Sequence, residues 1–368
     1  MLDLHWKAKR LVELGHDVTV VTAFSRANLA VPELPYKVRE ENIAPLGDLL
    51  SIQRGVYWIL KKYENEADVF YVDGHIFLYG AGLYRLTGGK TPVAAFFNVR
   101  LNSWRPARQS ALAVHKKRSL WQAVRWWIER AIGVPAANRI DAFIFNTPHL
   151  AALYYGFGIG SGKGVIIEDF VDTRAISEKY LRTHGQTSGK IKIFASGRMF
   201  PEKGFDLLIR AFAKITDKDK YEFTISGSGP EEGNLRRLAK KLGVEPRINF
   251  PGWVSREELL GFFASSDIFV FPRWWLEYGS AILTEAMAFG TASVIPGGGA
   301  LEWLVEGGAL TFKDGDINDM ARQIERLGKD AELRRQISEK AMARARELAY
   351  QNLGDKLAGI MESIAVKR

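Results

Sequence analysis

Short apolar runs that end in glycine, proline, asparagine or aspartate alternate along this chain with longer stretches whose apolar positions recur every three or four residues. The first kind reads as buried strands and the second as amphipathic helices. LVELGHDVTVVTAF reads as a helix end, a turn at Gly15 and a strand from about Val18 to Thr22. DVFYVDG, TPVAAFFNV, DAFIFNT and GVIIEDFVD follow as further strand-and-turn units. After a polar stretch, TRAISEKYLRTHGQTSGK, the pattern restarts with IKIFASG, FTISGSG, INFPGWV, IFVFPRW, SVIPGGG and ALTFKDG, each followed by a helical pattern. In KGFDLLIRAFAKI, for instance, Leu207, Leu208, Ala211, Phe212 and Ile215 share one helix face. Strands that alternate with helices predict parallel sheets with crossover helices. The expected organisation is two α/β domains with a cleft between them. Residues 1–172 form the first, 173–190 a linker and 191–345 the second, and a C-terminal helix over 346–368 packs back on the first domain.

Composition narrows the class. The chain has 368 residues, 47% hydrophobic and 25% charged, which suits a folded protein of two domains. No run of about 18 apolar residues is present, so no membrane-spanning helix is expected. The first thirty residues carry charges throughout and do not read as a secretory signal. With no cysteine, disulfides, a thiol nucleophile and cysteine metal sites are excluded. A cytoplasmic location is expected.

The net charge of +9 is unevenly spread. Between Arg100 and Arg130 lie eight basic residues against one acid, Glu129, together with Trp104, Trp121, Trp126 and Trp127. Basic side chains interleaved with tryptophan suit an anionic surface, lipid or nucleic acid. Leu120, Val124, Trp127, Ile128 and Ala131 form a helical stripe, so part of this segment belongs to a core. The stripe leaves Arg105, Arg108, Lys116, Lys117 and Arg118 as membrane-contact candidates. No nucleic-acid-binding module is recognisable, so no nucleic-acid partner is expected.

In open α/β sheets ligands gather at the carboxyl ends of strands. After IKIFASG come Arg198 and Lys203, two cations near a helix start that suit a diphosphate, or else two solvated surface charges. After IFVFPRW come Glu277 and, eight residues on, Glu285. Carboxylates accept from vicinal hydroxyls, and the amides of Gly279, Ser280 and Ala281 can hold a phosphate. An ordinary N-terminal charge preference and a helix-face glutamate are the plain alternative. Asp217–Asp219 and Asp314–Asp316 look like metal-binding DxD pairs, but the first follows a helix and Asp316 reads as a helix cap. No metal site is expected.

GRMFPEKG, ISGSGP, FPGWVSREEL, DIFVFP, the Glu277-x7-Glu285 spacing, EAMAFG and GGGALE stand in the order seen in family 4 glycosyltransferases, and the second domain resembles that family throughout. The first resembles it more weakly, through ELGHDVTVVT, the segment at Asn146 and Val171–Asp172. The resemblance implies a GT-B fold and a retaining transfer of a hexose-type sugar from a nucleotide-sugar donor, with no cofactor and no metal. The implied acceptor is a glycan or lipid-linked sugar at an anionic membrane surface, in polysaccharide or glycolipid synthesis.

By position, Arg198 and Lys203 would hold the diphosphate, Glu285 the ribose and Glu277 the sugar. Gly229 and the Trp253–Val254 loop would also border the donor. Gly279, Ser280 and Ala281 would supply amides. His75, Asn98 and Arg100 are acceptor-side or sugar-contact candidates; Asn98 stands where the family often has histidine and has no proton to titrate. Gly279 comes one place earlier than the family's usual glycine. The family's first strand and glycine-rich turn would precede this Met1, which motivates a second reading, a membrane-associated GT-B scaffold or partner subunit without turnover.

Overall fold

The computed structural model describes residues 2–22, 34–41, 49–99, 127–173, 176, 189–272 and 278–366, which divide into two units. The first takes residues 1–170 and 351–368, the second 171–350.

In the first unit β1 (Thr19–Thr22) pairs in parallel with β2 (Lys37–Glu40). A separate parallel sheet contains β3 (Phe70–Asp73), β4 (Val93–Phe97), β5 (Ala142–Phe145) and β6 (Gly164–Ile166) in that order. β4 and β5 are buried along their whole length, which is why they read as unbroken apolar runs rather than alternating ones. Phe97, Phe143, Phe145 and Tyr154 stack on one face of this sheet. The helices are α1 (Leu2–Glu13), α2 (Leu49–Lys62), α3 (Leu78–Leu86), α4 (Val134–Ala137) and α5 (Pro148–Gly156). α2 and α4 both pack on α3. α5 starts sharply because Thr147 caps it and Pro148 fills its first position.

The second unit is one six-stranded parallel sheet. Its strands are β7 (Ile191–Ser196), β8 (Tyr221–Ser226), β9 (Ile248–Gly252), β10 (Ile268–Val270), β11 (Ala292–Pro296) and β12 (Ala309–Phe312). They lie in the order β12-β11-β10-β7-β8-β9. The helices are α6 (Phe205–Lys214), α7 (Glu232–Lys241), α8 (Arg256–Ser265), α9 (Ala281–Ala288), α10 (Ala300–Val305), α11 (Ile317–Lys329) and α12 (Ala331–Glu347). Side chains alternate between faces along a strand. Ile193, Ala195, Phe223 and Ile225 accordingly enter one core, and Phe194, Phe269 and Ile295 the other. The sheet is covered on both faces, and its order reverses between β7 and β10. That reversal is the switch point at which doubly wound sheets bind ligands.

The last helix, α13 (Tyr350–Ala365), belongs to the first unit from residue 351. Arg10 of α1 pairs with its Asp355 at 2.7 Å, and His16 with its Glu362 at 3.3 Å.

Candidate functional site

Both strands that flank the switch point lead into loops bearing the sequence-derived candidates. β7 runs into Gly197 and the exposed Arg198, whose guanidinium carbon lies 5.5 Å from the ring centre of Phe200. A short turn, Pro201–Lys203, then delivers Lys203 and hands the chain to α6 through Gly204, which is left-handed at φ 70°.

The neighbouring loops are tied to this one through the main chain. Gly197 N–H donates to Ser226 O at 3.1 Å and Met199 N–H to Ser228 O at 2.8 Å. Gly227 N–H donates to Gly252 O at 2.7 Å, and Glu231 N–H to Met199 O at 3.0 Å. So close an approach needs glycine: a Cβ at Gly227 would strike the carbonyl oxygen of Gly197, and one at Gly229 the backbone of Met199. The ISGSGP motif is therefore a backbone clamp that holds the post-β7 loop in place.

β9 leads into Trp253, 76% exposed, and half-buried Val254. Ser255 then caps α8 in a reciprocal capping box with Glu258. After β10, residues 273–277 lie outside the described residues, Glu277 among them. Gly279 and Ser280 are half-buried and Ala281 is exposed. Ser280 caps α9, its hydroxyl accepting from Leu283 N–H at 3.3 Å.

Glu285, one turn into α9, is buried and paired at 2.7 Å with Arg256. Burial raises its pKa; Arg256 opposes the shift without cancelling it. Arg256 is absent from the sequence-derived candidates. A charged residue just after a serine cap was the only signal for it, and such residues usually sit in solvent.

The first unit gathers polar groups at the carboxyl ends of its strands. His75 follows β3 after Gly74 and is half-buried, and its pKa is lowered by that burial. Half-buried Asn98 follows β4. Beside them is a network that sequence reasoning missed. Lys7 of α1 is 1% exposed, pairs with Asp3, and lies 3.2 Å from Asp73. Its ammonium also sits 3.2 Å from the ring centre of Phe96. Burial alone would lower the Lys7 pKa, but Asp3 and Asp73 outweigh it and the net shift is upward. Asp169, after β6, is pushed up to about 7 by burial and by Asp3 against the pull of Lys7. Buried Asn146 donates to it at 3.4 Å. A lysine on the apolar face of a helix, beside Leu4, Ala8 and Leu11, was the available signal.

Arg100 and the membrane candidates Arg105, Arg108, Lys116, Lys117 and Arg118 lie outside the described residues. Of the aspartate pairs, Asp316 caps α11 by accepting from Asn318 and Asp319 N–H at 3.0 Å each, and Asp219 pairs with Arg247. No described helix is long and apolar enough to cross a membrane.

Comparison with known proteins gives these loops a context. Residues 7–175 match the model of "Glycosyltransferase Family 4", and residues 177–344 that of "Glycosyl transferases group 1". The lipopolysaccharide core biosynthesis glycosyltransferase LpsE of Rhizobium meliloti is 29% identical over 54% of this chain and 57% of its own length. The alpha-D-kanosaminyltransferase of Streptomyces kanamyceticus is 29% identical over 53% of this chain and 51% of its own. The matched region thus spans about half the length of these curated relatives. Among solved structures, HepE of Anabaena superposes with a TM-score of 0.77 at 18% identity, covering 98% of this chain and 95% of that one. Sucrose-phosphate synthase of Thermosynechococcus elongatus gives 0.78 at 17%, covering 100% and 94%; at such identities the likeness concerns fold. With two Rossmann-like units and matches running in succession from residue 7 to 344, this chain belongs to the group 1 and family 4 glycosyltransferases of the GT-B type.

Proposed function

We propose that this chain transfers a hexose-type sugar from a nucleoside-diphosphate sugar to a glycan or lipid-linked acceptor, with retention of configuration and without a metal ion. The observation that carries the reading is the set of loops at the switch point of the second sheet. Arg198 and Lys203 follow one strand, the capped start of α9 follows the other, and the carboxylate of Glu285 is buried one turn in. These are the groups a nucleotide donor needs. Arg198, Lys203 and the amides of Gly279 to Ala281 neutralise the diphosphate, whose charge grows as the sugar leaves. Glu285 accepts from the ribose hydroxyls. Glu277 is assigned to the sugar hydroxyls and the Trp253–Val254 loop to the base. The acceptor hydroxyl attacks from the face the leaving phosphate vacates, and that phosphate takes its proton, so no protein nucleophile is required. His75, Asn98 and Arg100 are assigned to the acceptor side.

A membrane role for the first unit finds support in exposed residues of α2 and of the end of the basic segment. On α2, Leu50, Arg54 and Trp58 are exposed at four-residue spacing, so they share a face. Exposed Trp127, Ile128, Arg130 and Ile132 lie on the segment that leads into α4. Tryptophan and basic side chains together suit the headgroup layer of an anionic, cytoplasmic leaflet. Vesicles with 30% phosphatidylglycerol should retain the protein in 50 mM salt, and Trp58→Ala with Trp127→Ala should release it; no retention by such vesicles removes the membrane part of the proposal.

The donor reading is tested by thermal unfolding with UDP, GDP, ADP and CDP. Solved structures of HepE hold UDP and UDP-glucose, which makes UDP the first to try. A ligand at about 100 times its Kd adds about 2.7 kcal/mol, or several degrees of Tm. One nucleotide should raise Tm in the wild type and far less in Glu285→Ala. No shift with any of the four would favour the scaffold reading instead.

A further inference from the structure

The partner of Glu285 carries a role of its own. Arg256 is the first residue of α8, directly after the Ser255 cap, and reaches across to α9 to put Nη1 2.7 Å from Glu285 Oε1. The two ends differ sharply in environment: the glutamate side chain keeps 8% of its exposure, the arginine 45%. Each end also hangs from a fixed point. The Ser255–Glu258 capping box sets the backbone under Arg256, and the Ser280 cap sets the start of α9. Among the described residues Arg256 is the one cation paired with Glu285.

A buried carboxylate held by a single cation is a directed acceptor. Without the anchor it escapes its uncompensated charge by protonating or by turning toward solvent. We propose that Arg256 is a positioning residue of the donor site, holding Oε1 of Glu285 so that the second oxygen is presented to the vicinal ribose hydroxyls of a nucleoside diphosphate. This rests on the ribose role proposed for Glu285 above and adds to it the residue that makes the carboxylate selective.

The test compares two ligands rather than one affinity. Calorimetric titration with UDP and 2′-deoxy-UDP, or the same pair in the base that the thermal screen selects, gives a ribose-to-deoxyribose ratio for each variant. A hydrogen bond to a charged group is worth about 10- to 100-fold, so the wild type should show a ratio of that order. Glu285→Gln should reduce it to within about 3-fold, the level of an ordinary neutral contact. Arg256→Met should fall to the same level, while Arg256→Lys, which restores the charge, should recover part of it. A merely structural arginine would weaken both ligands equally and leave the ratio intact. A wild-type ratio in Arg256→Met beside a lost ratio in Glu285→Gln overturns the inference and spares the ribose reading. A ratio unchanged in Glu285→Gln overturns both. Arg256→Gln, close in length and polar, is judged by the same ratio if Arg256→Met does not fold.

Discussion

Lys7 shows how much a single side chain can demand of its surroundings. An ammonium in the interior is tolerated because Asp3 and Asp73 surround it and Phe96 offers its ring face. Removing the cation strands the carboxylates, so Lys7→Met should cost about 3–5 kcal/mol of unfolding free energy in urea, although methionine fills similar volume. A loss below about 1 kcal/mol would mean the network is solvated. Asp169 supplies the pH signature. Its folded pKa, about 7, lies above the ordinary carboxylate value, so the folded state prefers it protonated. That preference costs nothing below about pH 4 and grows as the pH rises toward 7, where the cost levels off. Asp169→Asn should therefore gain on the wild type at pH 8 relative to pH 4.5; an equal difference at both would rule out a buried carboxylate. None of this was legible from motifs, because the network joins positions as far apart in sequence as 3 and 170, where Asp3 accepts from Phe170 N–H at 2.7 Å.

At the level of elements, the apolar runs declare themselves because the strands are buried, and the helix starts do so through their caps at Thr147, Ser255, Ser280 and Asp316. The loops between them are legible as motifs but not as geometry. ISGSGP matches a family pattern, yet its glycines are explained only by the main chain of the adjoining loop. Gly227 has φ 124° and no room for a Cβ, so Gly227→Ala should cost about 2–5 kcal/mol through strain and overpacking together. Gly233, in the first turn of α7, is the contrast: a Cβ there meets only Arg237 Nη1 at 3.6 Å. Gly233→Ala should leave stability unchanged or raise it by up to about 1 kcal/mol. Parallel urea titrations of the two variants decide the matter. The Arg256–Glu285 pair was unreadable for a related reason, since nothing in sequence links a residue that opens one helix to one inside the next.

On the scale of the whole chain, the alternation of strand and helix was enough to foresee parallel sheets, and the ordered motifs were enough to foresee the family. The strand order of the second sheet, with its reversal between β7 and β10, required the structure. If the donor site is where that reversal puts it, a bound nucleotide should slow hydrogen exchange at 197–203, 227–231, 253–256 and 278–285. Slowing confined to the first unit would contradict the assignment.

The division of the chain at 170 and again at 350 has a consequence for the order in which the protein is made. Everything the second unit needs has been synthesised once Tyr350 is added. The first unit, begun earlier, still lacks α13, against which Arg10 and His16 of its opening segment are paired. On the ribosome, the unit that is started first is thus the one completed last. A nascent chain that stalls near residue 350 would carry a finished second unit beside an N-terminal half with an uncovered flank, ready for a chaperone or a protease.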